Sequence, residues 1–230
     1  MVIIRFLGIN CYEMANAIRY IYRQHPNDTF PSIYDGEDEP HHYAHLLDVT
    51  RRVLSGHLYQ QILLLNFQRI TDYTGLRSRL WQTLCRDQFP STFIVCRDKP
   101  PGFHMSNLSA IHIQNRHYPL WLSPRGNGLD CHRTWEALYL DAIPVVWNST
   151  LNHLFIDLPV VIINNETDLT EQYLRQKLNE VAKNKITNPS IFRWEKLRFS
   201  YWRRMILSKS RHSVKATRRE NLCWHARTVH

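Results

Sequence analysis

Residues 120–138 read LWLSPRGNGLDCHRTWEAL, and residues 143–146 follow as IPVV. The order is a strand end, a glycine-bearing loop, a helix and the next strand, the unit from which parallel sheets are built. Gly126 and Gly128 allow the chain to turn tightly and to approach a ligand closely. Asp130 is placed to cap the helix that follows. The open amides and dipole of such a helix start favour an anion. Arg125, in the loop itself, adds a planar fork of donors suited to phosphate oxygens.

Working outward, short apolar runs rich in branched residues recur at 61–67, 92–96, 120–123, 143–147 and 159–163, each too short for a helix. Helical patterns lie between several of them, at 76–85, 130–140 and 149–155. This alternation predicts an α/β domain of Rossmann-like form, an open parallel sheet with helices on both faces. Ligands in such sheets bind beyond the carboxyl ends of the strands, where the loop carrying Arg125 lies. Past residue 163 the pattern is helical: 169–183 behind an acidic first turn (Asp168, Glu171), a stop at Asn188 and Pro189, then 192–207. Before residue 58, helix patterns at 12–22 and 43–54 flank a turn-rich acidic stretch at 31–40. The chain is therefore expected to comprise a short helical or irregular lead (1–57), the α/β domain (58–208) and a basic, disordered tail (209–230).

Arg133 and Glu136 stand three apart on the helix of the motif and share a face. Two carboxylate oxygens on a rigid helix beside a phosphate site are placed to accept hydrogen bonds from the two hydroxyls of a ribose. Taken singly, each residue is better explained by a surface ion pair worth a few tenths of a kcal/mol, roughly. The glycines, Arg125 and a strand on either side favour the nucleotide reading.

The run SPRGNGLDCHRTWEAL, with IPVV and then DLPV after it, resembles the carboxyl-terminal nucleotide-sugar domain of exostosin-like glycosyltransferases, enzymes of the two-domain GT-B type. Weaker likenesses flank it: ILLLNF at 62–67, then Thr71, Asp72 and Arg77, and a late helix bearing Tyr201 and Trp202. The resemblance implies the donor-binding half of such an enzyme, with an amino-terminal acceptor domain that is short or missing and residues 1–57 as its remnant. It implies a UDP-sugar donor, a glycan or protein-linked acceptor, residence in the Golgi or endoplasmic reticulum lumen, and no required cofactor or metal. Carried over by residue, Arg125 and the Gly126–Asn127–Gly128 backbone hold the diphosphate, Arg133 supports it and Glu136 binds ribose. Ser123 lies within the contact set, and Arg77 assists from the preceding strand-to-helix loop. Arginines and a helix start would stabilise the charge that grows on departing UDP. No residue is assigned as catalytic base. Asp141 stands where the family usually has Gly, and Asp tolerates the left-handed backbone that ends a helix there.

Charge narrows the alternatives. The chain has 230 residues and a formal net charge of +9, with 29 Lys or Arg against 20 Asp or Glu. From Arg193 onward there are eleven basic residues against Glu195 and Glu220, which leaves 18 of each sign before it. The body is neutral, so a globally basic nucleic-acid-binding domain is excluded. Binding of nucleic acid or an anionic membrane is left to the tail alone. Five widely spaced cysteines without a CxxC pair exclude a disulfide-dense mini-protein, and Cys85 and Cys96 are candidates to pair in an oxidising compartment. No apolar run reaches membrane-spanning length and the start is too short for a secretory signal.

Other signals have plainer readings. His41, His42 and His45 lack the partners of a zinc site and read as a polar helix start. Asp35, Glu37, Asp38 and Glu39 read as a solvated turn, His132 points either to phosphate or to solvent, and Trp135 and Trp147 read as core residues. Glycosylation sequons start at Asn27, Asn107, Asn148 and Asn165. Two functions are carried forward: glycosyl transfer from a UDP-sugar, and a non-catalytic nucleotide-sugar or glycan-binding module from a truncated transferase.

Overall fold

Leu63–Leu65, Ile94–Cys96, Leu120–Leu122, Ile143–Trp147 and Val161–Ile163 form strands β1 to β5, and every pairing between them is parallel. The structure, a computed structural model, describes residues 48–56, 59–86, 92–97, 108–197, 201–202 and 205. Among these the sheet order is β2-β1-β3-β4-β5. The helices are α1 (Asp48–Leu54), α2 (Leu76–Cys85), α3 (Leu108–Asn115), α4 (His132–Tyr139), α5 (Asn152–Phe155) and α6 (Glu171–Thr187). The five strands fall within the five apolar runs, and the sheet is an α/β, Rossmann-like arrangement.

Burial on both faces explains why these strands read as continuous apolar runs rather than alternating ones. Leu63, Leu65, Leu120, Leu122, Ile143, Val145, Val161 and Ile163 point to one face, where Leu80 and Trp81 of α2 and Leu174, Leu178 and Ala182 of α6 cover them. Leu64 and Trp121 point to the other face, against Ala137 and Leu140 at α4. Val146 joins Trp135, Leu138, Leu154 and Phe155 on that second face further along the sheet. Helix α6 starts at Thr170, whose side chain accepts from the Tyr173 amide, and ends at Asn188, before Pro189.

Several expectations change. A helix over 192–207 gives way to short 3₁₀ turns at Pro189–Ile191 and Trp194–Leu197, followed by helical residues at Tyr201, Trp202 and Met205. Packing overrides the local pattern: Trp202 sits edge-on to Trp135, its indole donates to the Lys196 carbonyl, and the Arg193 amide donates to the Asp157 carbonyl. Helix α3, between β2 and β3, was not anticipated. Cys85 and Cys96 are joined, with 5.9 Å between their Cα atoms, so the last residue of α2 is tied to the last residue of the edge strand. No helix among the described residues is long and apolar enough to cross a membrane. The helix pattern at 12–22, the acidic stretch, the histidine cluster, the sequons at Asn27 and Asn107 and the basic tail lie outside the described residues.

Candidate functional site

From β1 the chain runs outward to β2, then returns to β3 on the other side of β1. The loops leaving β1 and β3 lead to helices on opposite faces of the sheet, α2 and α4, and meet at the carboxyl ends of these two strands. This reversal of strand order is where ligands bind in doubly wound sheets. The loop after β3 is the SPRGNGLDC segment, and the loop after β1 carries a 3₁₀ turn at Arg69–Thr71 and then Asp72 and Tyr73.

Arg77, buried in the first turn of α2, stitches the two loops together. Its Nε donates to the Arg125 carbonyl at 2.8 Å, and Nη2 donates to the Pro124 carbonyl at 3.0 Å and to Cys131 Sγ at 3.3 Å. Nη1 donates to the Gln68 carbonyl at 3.1 Å and the Thr71 hydroxyl at 2.6 Å. These five bonds match the five N–H donors of a guanidinium. Arg77 thus fixes the loop's position and has no donor left for a ligand. A Cβ at Gly126 would lie 3.1 Å from Arg77 Nη2, so the close approach that this glycine permits is to Arg77. Neither Gly126 nor Gly128 has a positive φ. The Gly126 amide donates to the Gly128 carbonyl at 3.1 Å, leaving Asn127 and Gly128 as the exposed tip.

Asp72 braces the other loop. It accepts from the Thr74 amide and hydroxyl through Oδ1 and from the Arg77 amide through Oδ2. Burial opposes its ionisation, but these bonds and the nearby Arg125 charge outweigh it and hold the carboxyl below its ordinary value. Ser123 is buried at the end of β3 and shares a 2.7 Å hydroxyl contact with Thr134 of α4, which fixes the helix against the strand.

Asp130 does not cap α4. The residue before the helix is Cys131, which makes no side-chain capping bond; its carbonyl accepts from the Thr134 amide at 3.0 Å, and the His132 and Arg133 amides have no side-chain cap. Asp130 instead accepts from the Trp135 indole at 2.9 Å through Oδ1, while Oδ2 is buried without a well-aligned donor. Burial raises its pKa, only partly offset by the Trp135 bond, the Cys131 amide and His132. The pKa of His132 is lowered because desolvation outweighs the carboxylates of Glu136 and Asp130.

Two arginines each keep a buried nitrogen without a partner among the described residues. Arg133 is 94% buried, with its guanidinium 5.8 Å from the Trp121 ring centroid, and its Nη1 has no hydrogen-bond partner among the described residues. Desolvation lowers its pKa to about 10 despite the nearby charge of Glu136. Arg125 lies 5.0 Å over the ring of Tyr73 and donates to its hydroxyl at 2.7 Å, yet its buried Nε also lacks a partner among the described residues. Glu136 is half-buried on α4, close enough to favour the charged forms of Arg133 and His132.

The fold therefore brings Arg77, Ser123, Arg125, the glycine loop, Arg133 and Glu136 to the carboxyl-end side of β1 and β3, with Arg77 and Ser123 positioning rather than exposed to a ligand. Trp135 packs against Phe155 and Trp202, and Trp147 packs on the α2/α6 face, so both are core residues. Tyr73, 76% exposed beside Arg125, was missed by the sequence reading. Its signal was the strand order, which alone brings the β1 loop beside the motif. No protein-family model and no curated protein matches the chain.

Proposed function

We propose that this domain holds the diphosphate of a UDP-sugar at the β1 and β3 loops and acts as the donor half of an exostosin-like glycosyltransferase of GT-B type. The observation that supports it is two partnerless buried nitrogens, Arg125 Nε in the loop after β3 and Arg133 Nη1 in the first turn of α4, a helix start without a side-chain cap. A buried guanidinium without a full set of acceptors is costly, and an anion in reach supplies what is missing.

In this reading Arg125, Arg133, the His132 and Arg133 amides at the start of α4 and the Asn127–Gly128 tip meet the diphosphate. Glu136, on the same helix, accepts from the ribose hydroxyls. Tyr73, with one face toward Arg125, offers its ring to the base. Transfer breaks the bond between the sugar and UDP, and negative charge grows on the departing diphosphate. Cations already fixed in place stabilise that charge more than they stabilise the bound donor, which is the requirement for catalysis. The acceptor is a glycan or protein-linked group. The Cys85–Cys96 bond supports residence in an oxidising lumen such as the Golgi or endoplasmic reticulum.

Calorimetry of the full chain with UDP tests the reading. Binding with Kd below about 1 mM is expected, and Arg125→Ala and Glu136→Ala should each weaken it about tenfold or more, the loss of one charge-assisted bond. No binding at millimolar UDP, or unchanged affinity in both variants, overturns it. UDP binding without sugar transfer or donor hydrolysis assigns the chain instead to a nucleotide-sugar-binding module.

A further inference from the structure

We infer that Asn165, at the exit of β5, carries an N-linked glycan. The sequence Asn165-Glu166-Thr167 is an acceptor sequon, and the nucleotide site makes no use of it. The chain leaves β5 at Ile163 and enters a 3₁₀ turn at Glu166–Asp168, which Asn165 caps from an exposed position. Its Oδ1 accepts from the Thr167 amide at 2.9 Å and from the Thr167 hydroxyl, while Asp168 closes the cap by accepting from the Asn165 amide. The cap thus uses only the oxygen of the Asn165 side chain. Nδ2 makes no hydrogen bond among the described residues, so a sugar attached there leaves every bond of the turn in place.

The second sequon among the described residues is a useful contrast. Asn148 is also exposed, but its Nδ2 donates to Asn164 Oδ1 at 3.0 Å and its Oδ1 accepts from Asn152 at 2.7 Å. A glycan on that nitrogen would crowd a network that ties the exit of β4 to the exit of β5. Asn165 has no such neighbour on its nitrogen.

The step needs a donor and a compartment. In it, Asn165 Nδ2 forms a bond to the anomeric carbon of a lipid-diphosphate-linked oligosaccharide. The bond from that carbon to the diphosphate breaks, lipid diphosphate leaves, and one amide proton is released. Such donors are used in the lumen where disulfides form, and the Cys85–Cys96 bond points to that lumen independently of the sequon.

The test is to produce the full chain in the secretory lumen of a eukaryotic cell and map its glycopeptides. Enzymatic removal of N-glycans in heavy-oxygen water should convert Asn165 to labelled Asp. Asn165→Asp keeps the capping oxygen but not the nitrogen, so it should fold with wild-type melting and lose one glycan's mass. An unlabelled Asn165 in the wild-type protein overturns the inference, as does an unchanged glycan mass in the variant.

Discussion

The two ends of α4 handle buried charge in opposite ways. Past its C-terminal end, Asp141 has φ 64° and its carboxylate is buried. It accepts from the Thr50 amide at 2.9 Å, from the Thr50 hydroxyl at 2.8 Å and from the ammonium of buried Lys185. That end is closed: each charge has its counter-charge, and α1 and α6 are locked to the turn. At the N-terminal end, Arg133 is as deeply buried but keeps a partnerless Nη1, and in the loop before the helix Arg125 keeps a partnerless Nε. On the proposed function the difference separates architecture from a binding site: one end is complete as folded, and the other would be completed by an anion.

Breaking the closed end should have the largest effect. Lys185→Ala strands a buried carboxylate and is expected to cost about 3–5 kcal/mol in urea unfolding. Pairing Asp141→Gly with Lys185→Met should recover part of that loss, because glycine accepts the left-handed backbone and no lone charge remains. A neutral Lys185→Ala would show that the Asp141 carboxylate does not depend on that counter-charge. Next comes Arg77→Met, which leaves carbonyls of both loops without a donor and should cost about 2–4 kcal/mol. UDP affinity should fall with it, although Arg77 has no donor for a ligand. Arg77→Lys should not rescue either property, because three donors on a point charge cannot reproduce the fork.

The smallest effect belongs to Asp130→Asn. The new side chain still accepts from Trp135 but removes a buried charge, so the variant should be modestly more stable at neutral pH. A carboxyl whose folded pKa is raised stays protonated longer in the native state, so the wild type loses stability as pH climbs from 3.8 toward the raised value. The advantage of the variant should appear over that climb and vanish below 3.8. A constant difference in melting temperature across it would contradict the burial argument.

Most of the fold was legible because the strands are buried on both faces and read as apolar runs at 61–67, 92–96, 120–123, 143–147 and 159–163. The left-handed turn at Asp141 was legible from its place after the helix, but its ion pair was not, since Lys185 is 44 residues away. Asp130 looked like a cap by residue type and position. The Trp135 indole, five residues on, competes for its oxygen and wins. Arg77 and Gly126 were read as ligand contacts because sequence shows which groups can donate, not which donors are already used. Tyr73 escaped notice because only the strand order brings its loop to the motif.

The most direct measurement is thermal unfolding of the full chain and of Arg133→Met, each with and without UDP. If Arg133 is held for an anion, Arg133→Met without ligand should melt at or above the wild type, because a buried guanidinium with a partnerless Nη1 has been replaced by apolar packing. UDP at about 100 times its Kd should stabilise the wild type by about 2.7 kcal/mol and the variant by much less. A variant that melts well below the wild type yet gains as much from UDP would make Arg133 part of the framework, as closed as Lys185, and would contradict the account.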